Sequence, residues 1–331
     1  MRAFYSIMKK KRKGGDGVHR DESACSSDRV IKENLAALQK KERLISDARI
    51  AELSFLADRA ADRYAELLRD GMDLYEILAL TAEESPLCDH TQPPRDAREE
   101  TRLSFRTAYD RAVFTDLWVE KLAERKIYPA EADFLPTKEP PETFTYVRNA
   151  YADEAYDVFS AEFSDPRVRY SQTFAEAVKG VLAGEYGYCL LPLAEKGGVR
   201  LSSVTDLLVR NDLKIASVTP VFGFSGDAEL WYALVSRTFR VPKVRAEDDR
   251  YLEIRCSEEE GDTLAALLTA AEVFDTTLYR VHTVTRREGE ENGVFYTAVF
   301  RTEGKSFAGF LAYLTMYTRT YVPVGIYRNL E

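Results

Sequence analysis

The chain is poor in the residues that build metal centres and covalent staples. It holds three histidines and four cysteines among 331 residues. Cys25, Cys88, Cys189 and Cys256 stand far apart, and none belongs to a CxxC pair. That spacing argues against a zinc site and against the disulfide framework of short, cysteine-dense secreted chains. No apolar run approaches the roughly 18 residues that a membrane span needs. There is no basic surplus either: 46 Lys and Arg face 55 Asp and Glu, a formal net charge of -9. Such a chain is a poor match for a nucleic-acid phosphate backbone. No P-loop, GxSxG, HExxH or GxGxxG motif occurs. We therefore expect no metal, no cofactor, no nucleic-acid partner and no membrane partner. Residues Met1 to Met8 are too short for a signal-peptide core, and the basic run follows them, so we expect a cytoplasmic protein.

What is present is ordinary globular material, 45% hydrophobic and 31% charged. The length suggests two or three domains. Lys9 to Lys13 form a positive run ahead of Gly14, Gly15 and Gly17. Residues 1–28 read as a disordered basic tail; an arm for an anionic surface is the other reading. From Ser27 or Asp28 the pattern turns helical, with Ile31, Leu35 and Leu38, then Ile50, Leu53, Leu56, Ala60, Tyr64 and Leu67 at helical spacing. Short and long helices are predicted around Leu74–Leu78 and over Ala97–Lys126, separated by a proline-bearing loop over 85–96. This makes 29–127 a helical domain. Four prolines in Tyr128–Thr143 mark 128–143 as a linker.

After Phe144 strands and helices alternate, which predicts a parallel or mixed α/β sheet over 144–245. Tyr188 to Leu193 is a near-continuous apolar strand of the kind buried on both faces. The end of the chain, 246–331, reads strand, helix, strand, strand, helix, strand. That order is a ferredoxin-like split βαβ.

Two segments together resemble the prephenate dehydratase family. In Phe174–Ile215, Gly184, Gly187, Pro192, Gly198, Asp206, Leu207, Leu208, Leu213 and Ile215 fit the family's spacing. The terminal βαββαβ closes on Val322 to Asn329, VPVGIYRN, similar to the family's Leu-Gly-Ser-Tyr ending. The resemblance implies one periplasmic-binding-protein-like α/β lobe followed by an ACT domain.

The departures bear on activity. Where the family has Pro-Ile-Glu-Asn-Ser, this chain has Pro192-Leu193-Ala194-Glu195-Lys196. Where it has a catalytic Thr-Arg-Phe, this chain has Leu230-Trp231-Tyr232. Expelling a hydroxyl needs a positioned proton donor, and binding a dicarboxylate favours Arg; Leu230 and Trp231 supply neither. The family's second lobe, inserted before that strand, has no room here. No catalytic residue is therefore assigned.

In the ACT domain the family's Gly-Ala-Leu turn becomes Gly261-Asp262-Thr263-Leu264, and its Glu-Ser-Arg-Pro becomes His282-Thr283-Val284-Thr285. Gly261, Asp262, Thr263, Leu264, His282 and Thr283 are the candidate ligand residues, for a small aromatic amino acid. Glu258, Glu259 and Glu260 crowd that turn, and the family's Arg is gone, so we expect phenylalanine binding to be weak or absent. For His282 a satisfied surface or core histidine is favoured over a ligand contact, and for Lys196-Gly197-Gly198 an ordinary turn is favoured over amides and an ammonium presented to an anion. The N-terminal helices echo chorismate mutase in Arg43, Ile50, Leu53, Leu56, Arg59, Arg69 and Arg98-Glu99, as an active domain, a relic of one, or a charged helix face.

The combined reading is a prephenate dehydratase-like binding or regulatory protein of aromatic amino-acid metabolism, non-catalytic and dimeric through its ACT domain. The alternative is an active divergent dehydratase, or a bifunctional chorismate mutase–prephenate dehydratase of phenylalanine synthesis.

Overall fold

The computed structural model describes residues 22–84, 97–222, 230–257, 264–285, 294–318 and 321–330. The basic run, the loop 85–96, Glu258–Glu260 and the turn 286–293 lie outside them. Two compact units emerge, 1–52 and 53–331. The described part of the first belongs to one helix, α1 (Glu22–Arg69), which starts ahead of the expected Ser27–Asp28 cap and so takes in residues 22–28.

In the second unit, the rest of α1 joins α2 (Leu74–Glu84), α3 (Ala97–Glu124) and the short α4 (Glu131–Phe134). A lobe follows: β1 (Thr143–Val147), α5 (Ala150–Ser160), β2 (Arg167–Ser171), α6 (Phe174–Leu182), β3 (Tyr188–Glu195), α7 (Ser202–Arg210), β4 (Lys214–Val221) and β5 (Leu230–Ser236). The final module is β6 (Asp249–Ser257), α8 (Leu264–Val273), β7 (Thr277–Thr285), β8 (Val294–Glu303), α9 (Ala308–Tyr317) and β9 (Val322–Arg328).

The nine strands form one sheet in the order β2-β1-β3-β5-β4-β9-β6-β8-β7. In the lobe, β1 runs parallel to β2 and β3, while β5 lies antiparallel between β3 and β4. This is a periplasmic-binding-protein-like α/β lobe. In the module every neighbouring pair is antiparallel. Its order of fourth, first, third and second strand is the ferredoxin-like βαββαβ arrangement. The halves fuse where β4 pairs with β9 in parallel at Ile215 and Gly325. Leu330 N–H donates to the Val218 carbonyl at 2.8 Å beside that joint.

Strand β2, RVRYS, was not anticipated. It is an edge strand, exposed on most of its length, so it carries none of the apolar signal of a buried strand. Local caps hold the lobe's helices: Asn149 accepts from Ala152 N–H, and Thr173 from Glu176 N–H.

Helices α6 and α7 cover one face of the lobe, packing on Cys189, Leu191, Ile215 and Val235, and α5 covers the other, against Phe144, Leu190 and Leu234. The apolar stripe of the N-terminal helices does not close on itself. Leu53, Ala57, Tyr64, Phe114 and Trp118 share a core with Leu252, Phe300, Phe310 and Leu314 of the module. The helices and the module therefore build one core, where separate domains were expected.

The segment 128–143 is likewise more than a linker. Glu131 of α4 receives Arg250 Nη1 at 2.7 Å and Nη2 at 2.5 Å, with Phe307 N–H at 2.6 Å. Arg59 is exposed on α1, and Arg69 donates to the Ala65 carbonyl. No helix among the described residues is long and apolar enough to cross a membrane.

Candidate functional site

Strand β3 ends at Glu195 in a tight reversal. Glu195 N–H donates to the Val199 carbonyl at 2.9 Å, and Gly198 N–H to the Glu195 carbonyl at 2.8 Å. Gly197 and Gly198 have φ of +83° and +77°, the left-handed region that glycine enters without strain. A side chain on Gly198 would meet the Arg280 guanidinium at 2.2 Å. Its absence lets Arg280 Nη1 reach the Gly198 carbonyl at 2.7 Å. The turn thereby docks on β7.

The next residue inward completes the contact. Arg200 Nη2 lies 2.5 Å from Glu253 Oε2 on β6, with side chains 12% and 5% exposed. Tyr327 of β9 donates its hydroxyl to the same carboxylate oxygen at 2.9 Å. Burial first, and the Glu253 charge second, push the Tyr327 hydroxyl well above its ordinary pKa.

Between the turn, the start of α7 and β7 lies an open groove of about 640 Å³. Gly198, Arg200, Ser202, Thr205, Asp206, Arg280, His282 and Thr283 line it. Helix α7 begins behind Leu201 with no side-chain cap bond, and an uncapped helix start favours anions. Arg280 has no carboxylate partner among the described residues; it bonds the Gly198 carbonyl and stands 5.3 Å from the Tyr279 ring centroid. His282 Nε2 is buried without a hydrogen-bond partner. Its pKa is lowered from 6.5, first by burial and then by Arg200. The groove thus offers one guanidinium without a carboxylate partner among the described residues, an imidazole and hydroxyls, beside one carboxylate, Asp206; the guanidinium is suited to holding a ligand carboxylate. Among the described residues that line it, no nucleophile is bonded to a base of the kind covalent catalysis needs.

The candidate residues distribute as follows. Gly198, His282 and Thr283, from two separate motifs, meet in the groove. Leu264 opens α8 and packs into the core shared with the N-terminal helices. Gly261, Asp262 and Thr263 lie outside the described residues. Pro192, Ala194 and Glu195 pair with Tyr232, Trp231 and Leu230 across β3 and β5, with a bulge at Pro192/Ala194. Tyr232 is buried on the opposite face, its hydroxyl 3.5 Å from Asn149 Oδ1. Lys196 is exposed in the turn.

Ala194 and Trp231 line a second cavity of only about 50 Å³, together with Tyr251, Tyr279, Arg280 and Tyr327 of the module. Tyr251 stacks on Tyr327 at 5.8 Å and meets Tyr279 edge-on at 5.1 Å. Sequence reasoning missed Arg200 and Arg280. Arg280 was within reach of it, since residues two apart on a strand share a face and Arg280 precedes His282 by two. Among the described residues no group of three or more His, Cys, Asp or Glu could hold a metal ion.

No family model matches the chain, and no curated protein matches it. Among solved structures, prephenate dehydratase from Streptococcus mutans aligns at TM-score 0.45 and 12% identity, over 57% of this chain and 99% of that one. GqqA, described as a novel type of quorum quenching acylase, aligns at 0.43 and 16%, over 57% and 95%. Prephenate dehydratase from Arthrobacter aurescens, in complex with L-Phe, aligns at 0.41 and 14%, over 56% and 89%. Likenesses at these scores carry no weight for the activity of this chain.

Proposed function

We propose that this chain is a non-catalytic, prephenate dehydratase-like protein that binds a small carboxylate ligand in the Arg200–Arg280 groove. On this reading the ferredoxin-like module is an ACT domain, and the protein is a cytoplasmic regulator in aromatic amino-acid, above all phenylalanine, metabolism.

One observation carries the non-catalytic half. The positions where the family would hold its acidic loop and its Thr-Arg pair are direct partners in one strand pair, Glu195 opposite Leu230 and Ala194 opposite Trp231. The space beside them is about 50 Å³ and is lined by three tyrosines. Small-molecule sites run from about 300 to 1,000 Å³, so a substrate does not fit there. Strands β4 and β5 are adjacent and joined through residues 222–229, too short a connection for a second lobe.

The groove supports the binding half, because Arg280 supplies the cation that the His282–Thr285 stretch lacks. A dimer through this domain is part of the reading, and the sheet edges support it. Strand β9 is already paired with β4, which leaves β7 as the module's free edge, and free edges are stabilised by pairing.

Two measurements test the reading. Purified protein should not convert prephenate to phenylpyruvate above the acid-corrected background; robust turnover would overturn the non-catalytic half. Calorimetric titration with phenylalanine, tyrosine, tryptophan and phenylpyruvate should give saturable binding for at least one, weakened about tenfold or more in Arg280→Ala. No binding across the set, or binding indifferent to Arg280, would overturn the ligand half.

A further inference from the structure

A different cavity, of about 520 Å³, opens on the other side of the joint between lobe and module. The β4 bulge at Ala216–Ser217 lines it, together with the segment after α4, the connection from β5 to β6, and Arg328 at the end of β9. Crevices where two halves of a sheet protein meet are favoured ligand sites.

In a chain whose formal net charge is -9, five cations line this cavity: Lys138, Arg240, Lys243, Arg245 and Arg328. Two carboxylates, Glu139 and Glu162, stand with them. The pairings decide what is left over. Arg328 binds Glu162, and also Asp248 at 3.0 Å. Arg240 lies 3.8 Å from Glu162 and stacks over the Phe163 ring at 4.4 Å. Glu162 and Asp248 therefore offset Arg240 and Arg328. Lys138, Lys243 and Arg245 have no ion pair among the described residues, with Glu139 the only other carboxylate lining the cavity. Arg328, 14% exposed, keeps a buried Nε with no hydrogen-bond partner. Glu247 and Asp249 line a neighbouring cavity beyond Arg245 and Arg328, and bound the positive region on that side.

We propose that this crevice binds a multiply charged, phosphate-bearing small molecule. The volume lies inside the range of small-molecule sites. The one aromatic side chain in the lining, Phe239, is buried and its ring is occupied by Lys214 Nζ at 4.9 Å. The site therefore offers no free ring face for stacking, and grips by charge. Lysines act as mobile point charges and arginines as forked donors, and both together suit clustered phosphate oxygens. Nothing in this rests on the carboxylate groove, which uses other residues on the opposite side of the joint.

The probe is inorganic pyrophosphate, titrated calorimetrically into the full chain at low salt, with orthophosphate in parallel. Pyrophosphate is expected to bind saturably and more tightly than orthophosphate. Lys243→Ala and Arg245→Ala should each weaken it by about tenfold, the scale of one charge-assisted hydrogen bond. Both side chains, like Lys138, are exposed, so these variants keep the fold. The proposal is overturned if pyrophosphate gives no saturable heat. It is equally overturned if affinity survives the combined Lys138→Ala, Lys243→Ala, Arg245→Ala variant, or if the two anions bind alike.

Discussion

Arg200→Met tests the construction of the groove most directly. Methionine keeps the length of the side chain and removes its charge. Glu253, 5% exposed, would lose its ion pair among the described residues while keeping the Tyr327 hydroxyl at 2.9 Å. Removing one partner of a buried pair costs about 3–5 kcal/mol, because the other charge stays buried. Arg200 is 12% exposed, so water softens that penalty and the expected loss is about 3 kcal/mol.

The same change acts on His282, whose pKa burial and Arg200 together hold below 6.5. Without Arg200 it should rise toward its ordinary value. The sign for stability follows from proton uptake. In the parent protein the unfolded chain takes up this proton first as pH falls below 6.5. Stability is therefore lost between 6.5 and the lowered folded value, and levels off beneath it. In Arg200→Met that window narrows.

Chemical denaturation gives the first quantity. NMR titration of the imidazole resonances gives the second, assigned with His282→Gln in a chain holding three histidines. A stability loss under about 1 kcal/mol, the level of a surface pair, would refute the account of the buried contact. So would a His282 pKa that does not rise.

Two further substitutions probe the frame. Glu131→Ala should cost about 3–5 kcal/mol by stranding Arg250, which is fully buried; the double variant Glu131→Leu, Arg250→Met should lose clearly less, and additive losses in denaturant melts would contradict the pairing. Gly325→Ala would bring a methyl to 2.7 Å from the Ile215 carbonyl oxygen across the β4–β9 joint, so a loss of about 1–3 kcal/mol is expected, read as a lower melting temperature, and an unchanged one would mean the joint yields freely.

Most of the fold was legible because its elements keep their own periodicity. The βαββαβ order of the module and the apolar run of β3 follow from local pattern alone. Strand β2 escaped because it buries little, so its alternating arginines look like loop. The role of Glu131 escaped for a different reason: its partner Arg250 lies 119 positions away, and no local pattern announces a buried ion pair. The groove was half legible. His282, Thr283 and Gly198 could be named from motif positions, but their meeting depends on the β4–β9 pairing, which is a tertiary fact. The merging of the N-terminal helices with the module's core was invisible for the same reason. An amphipathic stripe declares that a helix needs a partner without saying which.

On the proposed reading, that pairing also bears on why binding would suit this arrangement. Arg200 comes from the lobe, whereas Arg280 and His282 come from the module. Each half alone would present one cation to solvent, where an exposed pair is worth little. Fused, they hold a desolvated imidazole beside a guanidinium without a carboxylate partner among the described residues, and Arg280 bonds the turn at the Gly198 carbonyl. An anion bridging Arg280 and the start of α7 would compete for that contact, or reinforce it, and so alter how firmly the lobe's turn sits on the module. A ligand at 100 times its dissociation constant stabilises the state it binds by about 2.7 kcal/mol. This is close to the cost expected for losing Arg200, so occupancy of the groove and the Arg200–Glu253 contact act on the same scale. On the proposed reading, ligand concentration is converted into the seating of one half on the other, and the expected readout is a change in stability.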